Sequence, residues 1–357
     1  MPSQRSNYIL CKEPYSVDVM RYEQTQGEPL QLTEFSQLNG KRGYVFAPFM
    51  PSARTPILLI QPDKVEKLPM RAANEERKRC EVVEENHQRE AYHRDFARFH
   101  AALTDGRFRK LVLGRSATIQ LSATIDAEEL FWQACCQYPR MYVALVSTEM
   151  AGTWLMATPE VLLRREGKRC ATMSLAGTMK LNAEQHGFDS PPGQKNDIQP
   201  IWSHKNLEEQ HIVTTYIRSC LENFSSYIDE SETTTQRAGN LVHLRSDFVF
   251  GLKEGKDVGD VVKALFPTPA VCGMPKEHAW RFIVEEESGD RAYYSGVAGA
   301  MMTENDVQLY VTLRCMHIEE NRLRLYAGGG LLPDSDEEQE WNETMAKMET
   351  MKNLLNV

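Results

Sequence analysis

The sequence predicts an α+β fold. Helical and strand-like periodicities come in separate blocks rather than in the regular alternation that builds a doubly wound sheet. The composition, 41% hydrophobic and 25% charged with 21 Gly and 17 Pro spread along the chain, is that of a globular protein, not a disordered or fibrous one. The longest apolar runs, 56–60 and 141–146, fall far short of the roughly 20 residues a membrane span requires. A length of 357 residues allows two or three domains, or one large one, at about 100 to 200 residues per domain.

The first 70 residues mix short apolar runs with turn residues. Tyr44-Val45-Phe46-Ala47-Pro48 and Ile57-Leu58-Leu59-Ile60-Gln61-Pro62 read as strands closed by prolines, which cannot donate to a sheet ladder. The stretch 73–103 is highly charged, and from about Arg89 its apolar residues recur every three or four positions, which predicts a helix. Strands follow at 110–121 and 141–147, and 162–173 reads as a hairpin turning at Glu166-Gly167-Lys168. An apolar stripe from Ile212 to Leu221 marks a helix over about 206–224. A strand pair is expected at 307–317 and 323–327. A last helix over about 337–355 is capped by Ser335 or Asp336 and acidic in its first turn, as suits the positive end of the helix dipole.

The 41 Lys+Arg against 50 Asp+Glu give a formal charge of −9, the wrong sign for gripping nucleic-acid phosphates. Residues 1–10 hold no apolar run of the secretory kind, so a soluble, cytoplasmic protein without membrane or nucleic-acid partners is expected. The eight cysteines form neither a CxxC pair nor a cluster at zinc spacing, which fits free thiols in a reducing compartment.

Three features bear on chemistry. Glu340, Glu343 and Lys347 share one face of the last predicted helix, an arrangement suited to a hard divalent cation and an anion bound to it; a solvated Glu/Lys helix gives the same pattern. Before it, Leu325-Tyr326-Ala327-Gly328-Gly329-Gly330 places three glycines after a strand, where amides can face an anion or the chain can simply turn. Lys110 opens a strand whose next residues are Leu111, Val112 and Leu113; a lysine at a buried edge can serve as a base, and one at a surface edge merely snorkels. No dinucleotide GxGxxG, phosphate-binding GxxxxGK[ST] or GxSxG elbow occurs.

Six ordered blocks together resemble the chorismate-utilising enzymes: isochorismate synthase, salicylate synthase, and component I of anthranilate and aminodeoxychorismate synthases. They are Lys110-Leu-Val-Leu-Gly-Arg115, Thr158-Pro-Glu-Val-Leu-Leu-Arg164, Leu175-Ala-Gly-Thr178, Lys205-Asn-Leu-Glu-Glu-Gln-His-Ile-Val213, Pro267-Thr-Pro-Ala-Val-Cys-Gly273, and the glycine block running into Glu340, Glu343 and Lys347. The resemblance implies two mainly antiparallel sheets packed as a sandwich and flanked by helices. It also implies a variable portion of that fold over 1–104, a chorismate-binding catalytic region over 105–357, and a monomer or weak homodimer.

Within the family, the residues at a few positions decide the reaction. Lys110 matches the lysine that activates water in isochorismate and salicylate synthases, where the ammonia-using relatives carry glutamine. Leu175-Ala-Gly-Thr178 lacks the lysine nucleophile of the aminodeoxychorismate type. Ala270 replaces a threonine common among relatives that go on to eliminate pyruvate. The resemblance therefore implies an isochorismate synthase, with Lys110 as base toward water and Glu160 as acid toward the departing hydroxyl. A salicylate synthase and a non-catalytic chorismate-binding protein are the alternatives. Mg2+ would be held by Glu209, Glu340 and Glu343, although the adjacent Glu208 shares the motif. Gly177, Thr178, His243, Ala270, Arg314, Tyr326, Gly328, Gly329 and Lys347 match substrate-binding positions. The pathway served, menaquinone or siderophore, is left open by residues that both would share.

Overall fold

The computed structural model describes residues 7–72, 81–180, 200–239 and 241–355. The chain runs through β1 (Asn7–Lys12), β2 (Asp18–Gln24), β3 (Leu30–Leu32), β4 (Gly43–Ala47), β5 (Ile57–Ile60), β6 (Lys64–Pro69), β7 (Val82–Asn86), α1 (Arg89–Thr104), β8 (Lys110–Leu121), α2 (Ala127–Gln137), β9 (Tyr142–Thr148), β10 (Gly152–Thr158), β11 (Val161–Glu166) and β12 (Arg169–Lys180). It continues through α3 (His204–Glu222), β13 (Ser225–Glu230), β14 (Thr234–Ala238), β15 (Leu241–Leu252), α4 (Val258–Leu265), β16 (Gly273–Met274), α5 (Lys276–Glu286), β17 (Val297–Thr303), β18 (Asp306–Val311), β19 (Cys315–Glu319), β20 (Arg322–Leu331) and α6 (Glu337–Lys352).

These strands form two ten-stranded sheets. The first is ordered β16-β8-β20-β19-β10-β9-β1-β2-β6, with β7 also on β8; the second is β13-β15-β12-β11-β18-β17-β4-β5-β3, with β14 also on β15. The long ladders, β8 with β20 and β12 with β15, are antiparallel. Residues before 70 supply strands to both sheets.

Period-2 alternation builds the layers. On β10, Trp154 and Met156 face the second sheet, within a core that includes Phe46, Tyr142, Tyr293 and Tyr310, while Leu155 and Ala157 face outward into a cluster with α2 and α6. Strands covered on both faces read as continuous apolar runs, hence Tyr142 to Val146. The space between the sheets is filled by aromatic rings: Tyr142 stacks on Tyr310 at 4.0 Å and Phe46 on Tyr293 at 4.2 Å between centroids. The outer face of the second sheet packs against α3 and α4.

Two segments cross between the sheets, and they lie side by side. Residues 158–161 pass from β10 to β11, and 311–315 return from β18 to β19. The Ala157 amide donates to the Arg314 carbonyl at 3.1 Å and the Val311 amide to the Glu160 carbonyl at 3.0 Å. The sequence block that holds Glu160 is thereby brought beside Arg314.

The other expected strands and the helices beginning near 89, 206 and 337 are present, but 307–317 is not one strand: it divides into β18 and β19, which belong to different sheets, and α2, α4 and α5 are additional. The glycine run is corrected: Gly328 to Gly330 lie inside β20, paired with Gly114, Leu113 and Val112, rather than in a turn after it. Asp336 is the cap of α6, accepting from the Gln339 amide, whereas Ser335 donates to Glu340. The first part of the charged stretch, 73–80 with Cys80, lies outside the described residues. No described helix is long and apolar enough to cross a membrane.

Candidate active site

The crossing segments open onto a pocket lined by Glu160, Gly177, Thr178, Glu209, His243, Ala270, Arg314, Gly328 and Lys347. These residues come from five of the six sequence blocks and from β15 and the 311–315 crossing. Lys110, Gly329, Glu340 and Glu343 adjoin the lining through direct neighbours. Tyr326 does not itself line the pocket: its ring stacks on Trp154 and on the pocket residue Tyr294. Tyr294 takes the pocket position instead, and a Cβ on Gly328 would come within 2.7 Å of its hydroxyl. No sequence signal points to this swap, because Tyr293 and Tyr294 stand in no chemical motif.

Lys110 begins β8 and is completely buried, with its Nζ 2.9 Å from Glu209 Oε1. It is no isolated lysine at a sheet edge, because α3 brings a carboxylate onto it. Burial opposes the Glu209 charge, but Lys110, Lys205 and Lys347 outweigh it and hold the carboxyl below its ordinary range. Glu209 is the member of the acidic pair that enters the site; Glu208 is half exposed and faces Arg109.

Glu160 meets the opposite balance. It is 3% exposed on the 158–161 crossing, and burial pushes its carboxyl up to about 8 against the pull of Lys110 and Lys347. Its side chain is therefore mostly protonated at neutral pH. One pocket thus holds an acid and a carboxylate, distinguished by which cations touch them.

Arg314 adopts a left-handed backbone, φ 45°, as its segment crosses between sheets. Its guanidinium donates to Thr350 Oγ1 at 3.1 Å and to His243 Nε2 at 2.8 Å. Burial lowers Arg314 to about 10, which leaves it charged at neutral pH. Burial, then Arg314 and Lys347, hold His243 well below its ordinary value. The neutral ring accepts from Arg314 at Nε2, so Nδ1 carries the proton and donates to the Gly177 carbonyl at 3.0 Å. Gly177 has φ 66° at the bulge where β12 shifts register on β15. Two cations, Arg314 and Lys347, thus face the pocket for an anionic ligand.

Each acidic residue assigned to the metal has a lysine partner: Lys110 on Glu209, Lys205 on Glu340, and Lys347 on Glu343 at 2.7 Å. Lys205 stands in a sequence block, but spacing alone gave it no role. Among the described residues no three acidic, histidine or cysteine side chains already meet at coordinating geometry. The donors nevertheless fit a hard cation. Glu340 Oε2 is buried without a hydrogen-bond partner. A Cβ on Gly329 would lie 2.9 Å from Glu340 Oε2 and 3.9 Å from Glu343 Oε1, and a Cβ on Gly330 would overlap Glu209 Oε1. The glycines of β20 thus form a side-chain-free floor on which three carboxylates converge, and carboxylate oxygens suit magnesium. Burial and then the charge of Glu343 push Glu340 up against the pull of Lys205.

A profile of the family described as chorismate binding enzyme matches residues 53–356. The chain belongs to this family. It is similar to the isochorismate synthase EntC of Escherichia coli (strain K12), 32% identical over 246 residues, 69% of this chain and 62% of that protein. It is 31% identical over 265 residues to the isochorismate synthase DhbC of Bacillus subtilis (strain 168), covering 72% of this chain and 65% of that one. The alignments thus span a little under two thirds of these relatives' lengths. In structure it resembles MenF, the menaquinone-specific isochorismate synthase of Escherichia coli, with a TM-score of 0.80 and 22% identity over 99% of this chain and 90% of that one. That likeness extends the shared fold through both sheets.

Proposed function

We propose that this chain is a cytoplasmic, magnesium-dependent isochorismate synthase acting in siderophore or menaquinone formation. The observation that carries the reading is the pairing, in one pocket, of a Glu160 carboxyl kept protonated by burial with the buried Lys110. Similarity to EntC and DhbC supports the reaction class.

In this reading Arg314 and Lys347 receive the carboxylates of chorismate, and Tyr294 and Ala270 border the ring. Magnesium held by Glu209, Glu340 and Glu343 would supply charge neutralisation at a substrate carboxylate. Lys110, acting as its neutral amine, takes the proton from the water that attacks C2, and the new C–O bond forms there as the ring double bonds shift. Glu160 gives its proton to the C4 hydroxyl, which leaves as water. One water is consumed and one released, so the product is an isomer. The small Ala270 side chain favours stopping at that product, before pyruvate is eliminated.

Incubation of the pure protein with chorismate and magnesium, with products resolved by chromatography, tests the proposal. Isochorismate is the expected early product, and its formation should cease with a chelator. Salicylate with pyruvate as the main early product would reassign the enzyme as a salicylate synthase. Ligand-induced thermal stabilisation without any product would leave a binding protein.

A further inference from the structure

We propose that the buried Arg291–Glu287 pair is a positioning device that fixes the catalytic strand against the neighbouring loop that carries Ala270, an inference resting on the chemistry proposed above. Strand β16 is only two residues long and pairs with Lys110 and Leu111. The Val112 amide on the same edge of β8 is met by the Cys272 carbonyl at 2.6 Å. Among the described residues this edge then carries no strand until β7 meets it at Thr118, and in the gap two side chains take a strand's place. Arg291 donates to the Val112 carbonyl at 2.8 Å, and Glu287 accepts from the Gly114 amide at 2.7 Å.

The pair also ties in the adjoining loop. Arg291 donates a second bond, 2.8 Å, to the carbonyl of Val271, and both Val112 and Val271 line the pocket. One planar guanidinium therefore sets the distance between the strand that begins at Lys110 and the loop that carries Ala270. Glu287 holds that plane by a two-point bond, 2.7 Å to Nε and 2.6 Å to Nη2, and Phe49 covers it with its ring centroid 4.3 Å from the guanidinium carbon. Both ionic groups are almost fully buried, 5% and 4% exposed. Gly114 makes the approach feasible, because a Cβ there would meet Arg291 Nε at 3.0 Å and Glu287 Oε1 at 3.1 Å. A lysine carries the same charge but cannot bond two carbonyls and a carboxylate in one plane.

Arg291→Lys and the isosteric Glu287→Gln test this in the full-length protein. Both should melt cooperatively. At temperatures well below their melting points, kcat with chorismate and magnesium should fall about 10- to 100-fold while KM changes less than threefold, as expected when reacting groups are misplaced by a fraction of an ångström. Hydrogen exchange of peptides spanning 111–114 and 270–273 should accelerate at least tenfold in both variants, with exchange in β12 and β15 unchanged. A purely stabilising pair would lower the melting temperature and leave kcat of the folded protein within twofold; that result, or unaltered exchange at 111–114, overturns the proposal. A parent protein inactive on chorismate would refute the proposed reaction instead, and the exchange data would still decide whether the pair pins the strand.

Discussion

Glu160 and Glu209 show how little of a residue's chemistry resides in its identity. Both are buried carboxyl groups near Lys110 and Lys347, yet burial dominates at Glu160, whereas the close contact of Lys110 and the added charge of Lys205 dominate at Glu209. If Glu160 is the acid, kcat should fall as pH rises through about 8, because the required proton is then lost. Glu160→Gln should lower kcat by about 10²- to 10⁴-fold and remove that alkaline fall from the residual rate, as measured in a pH–rate profile. The linkage has a definite sign: the folded carboxyl holds its proton more tightly than the unfolded one. This contribution to stability is therefore present in acid and is lost as pH rises toward about 8. The sequence named both glutamates through their blocks. It did not show which cations touch them, nor that Tyr294 lines the pocket while Tyr326 belongs to the stack between the sheets.

At the scale of elements, the site depends on one glycine-floored strand with helices laid against it. Glu209 of α3 and Lys110 of β8 both press on the backbone of Gly330 in β20, where a Cβ would overlap Glu209 Oε1 and lie 2.9 Å from Lys110 Cε. Gly330→Ala should therefore separate the Lys110–Glu209 pair and lower kcat at least 100-fold with little change in circular dichroism, since the β8–β20 ladder needs only backbone. Kinetics near those of the parent would show that the contact has no catalytic consequence. Helix α6 illustrates the limit of pattern reading. Its residues Glu340, Thr344, Met348 and Met351 are all buried, but the face changes from polar at the site to apolar in the core, so the helix resembles a solvated one in sequence. Arg115 of β8 fixes its orientation, bonding Thr344 Oγ1 at 2.6 Å with its guanidinium carbon 3.7 Å from the centre of the Trp341 ring.

For the whole molecule, the N-terminal strands are the least informative in sequence and are woven into both sheets. Strand β1 pairs with β9, and β4 pairs with β17, so these strands cover edges that the later chain would otherwise expose. A fragment beginning at residue 105 should consequently fail to give a soluble, cooperatively melting protein, as read by calorimetry. A fragment that melts cooperatively and turns over chorismate would show that the first hundred residues are dispensable. The sequence by itself determined the α+β class, most strands and the long helices, because two- and 3.6-residue periodicities are local consequences of burying one face. It also determined the family, because the six motif blocks keep their residue types in order. Only the tertiary structure decided that the two crossings run side by side, that Glu209, Glu340 and Glu343 each have their own lysine, and that the glycines form a floor rather than a turn. Those are contacts between residues far apart in the chain, and their energies depend on distance and burial, neither of which a one-dimensional pattern records.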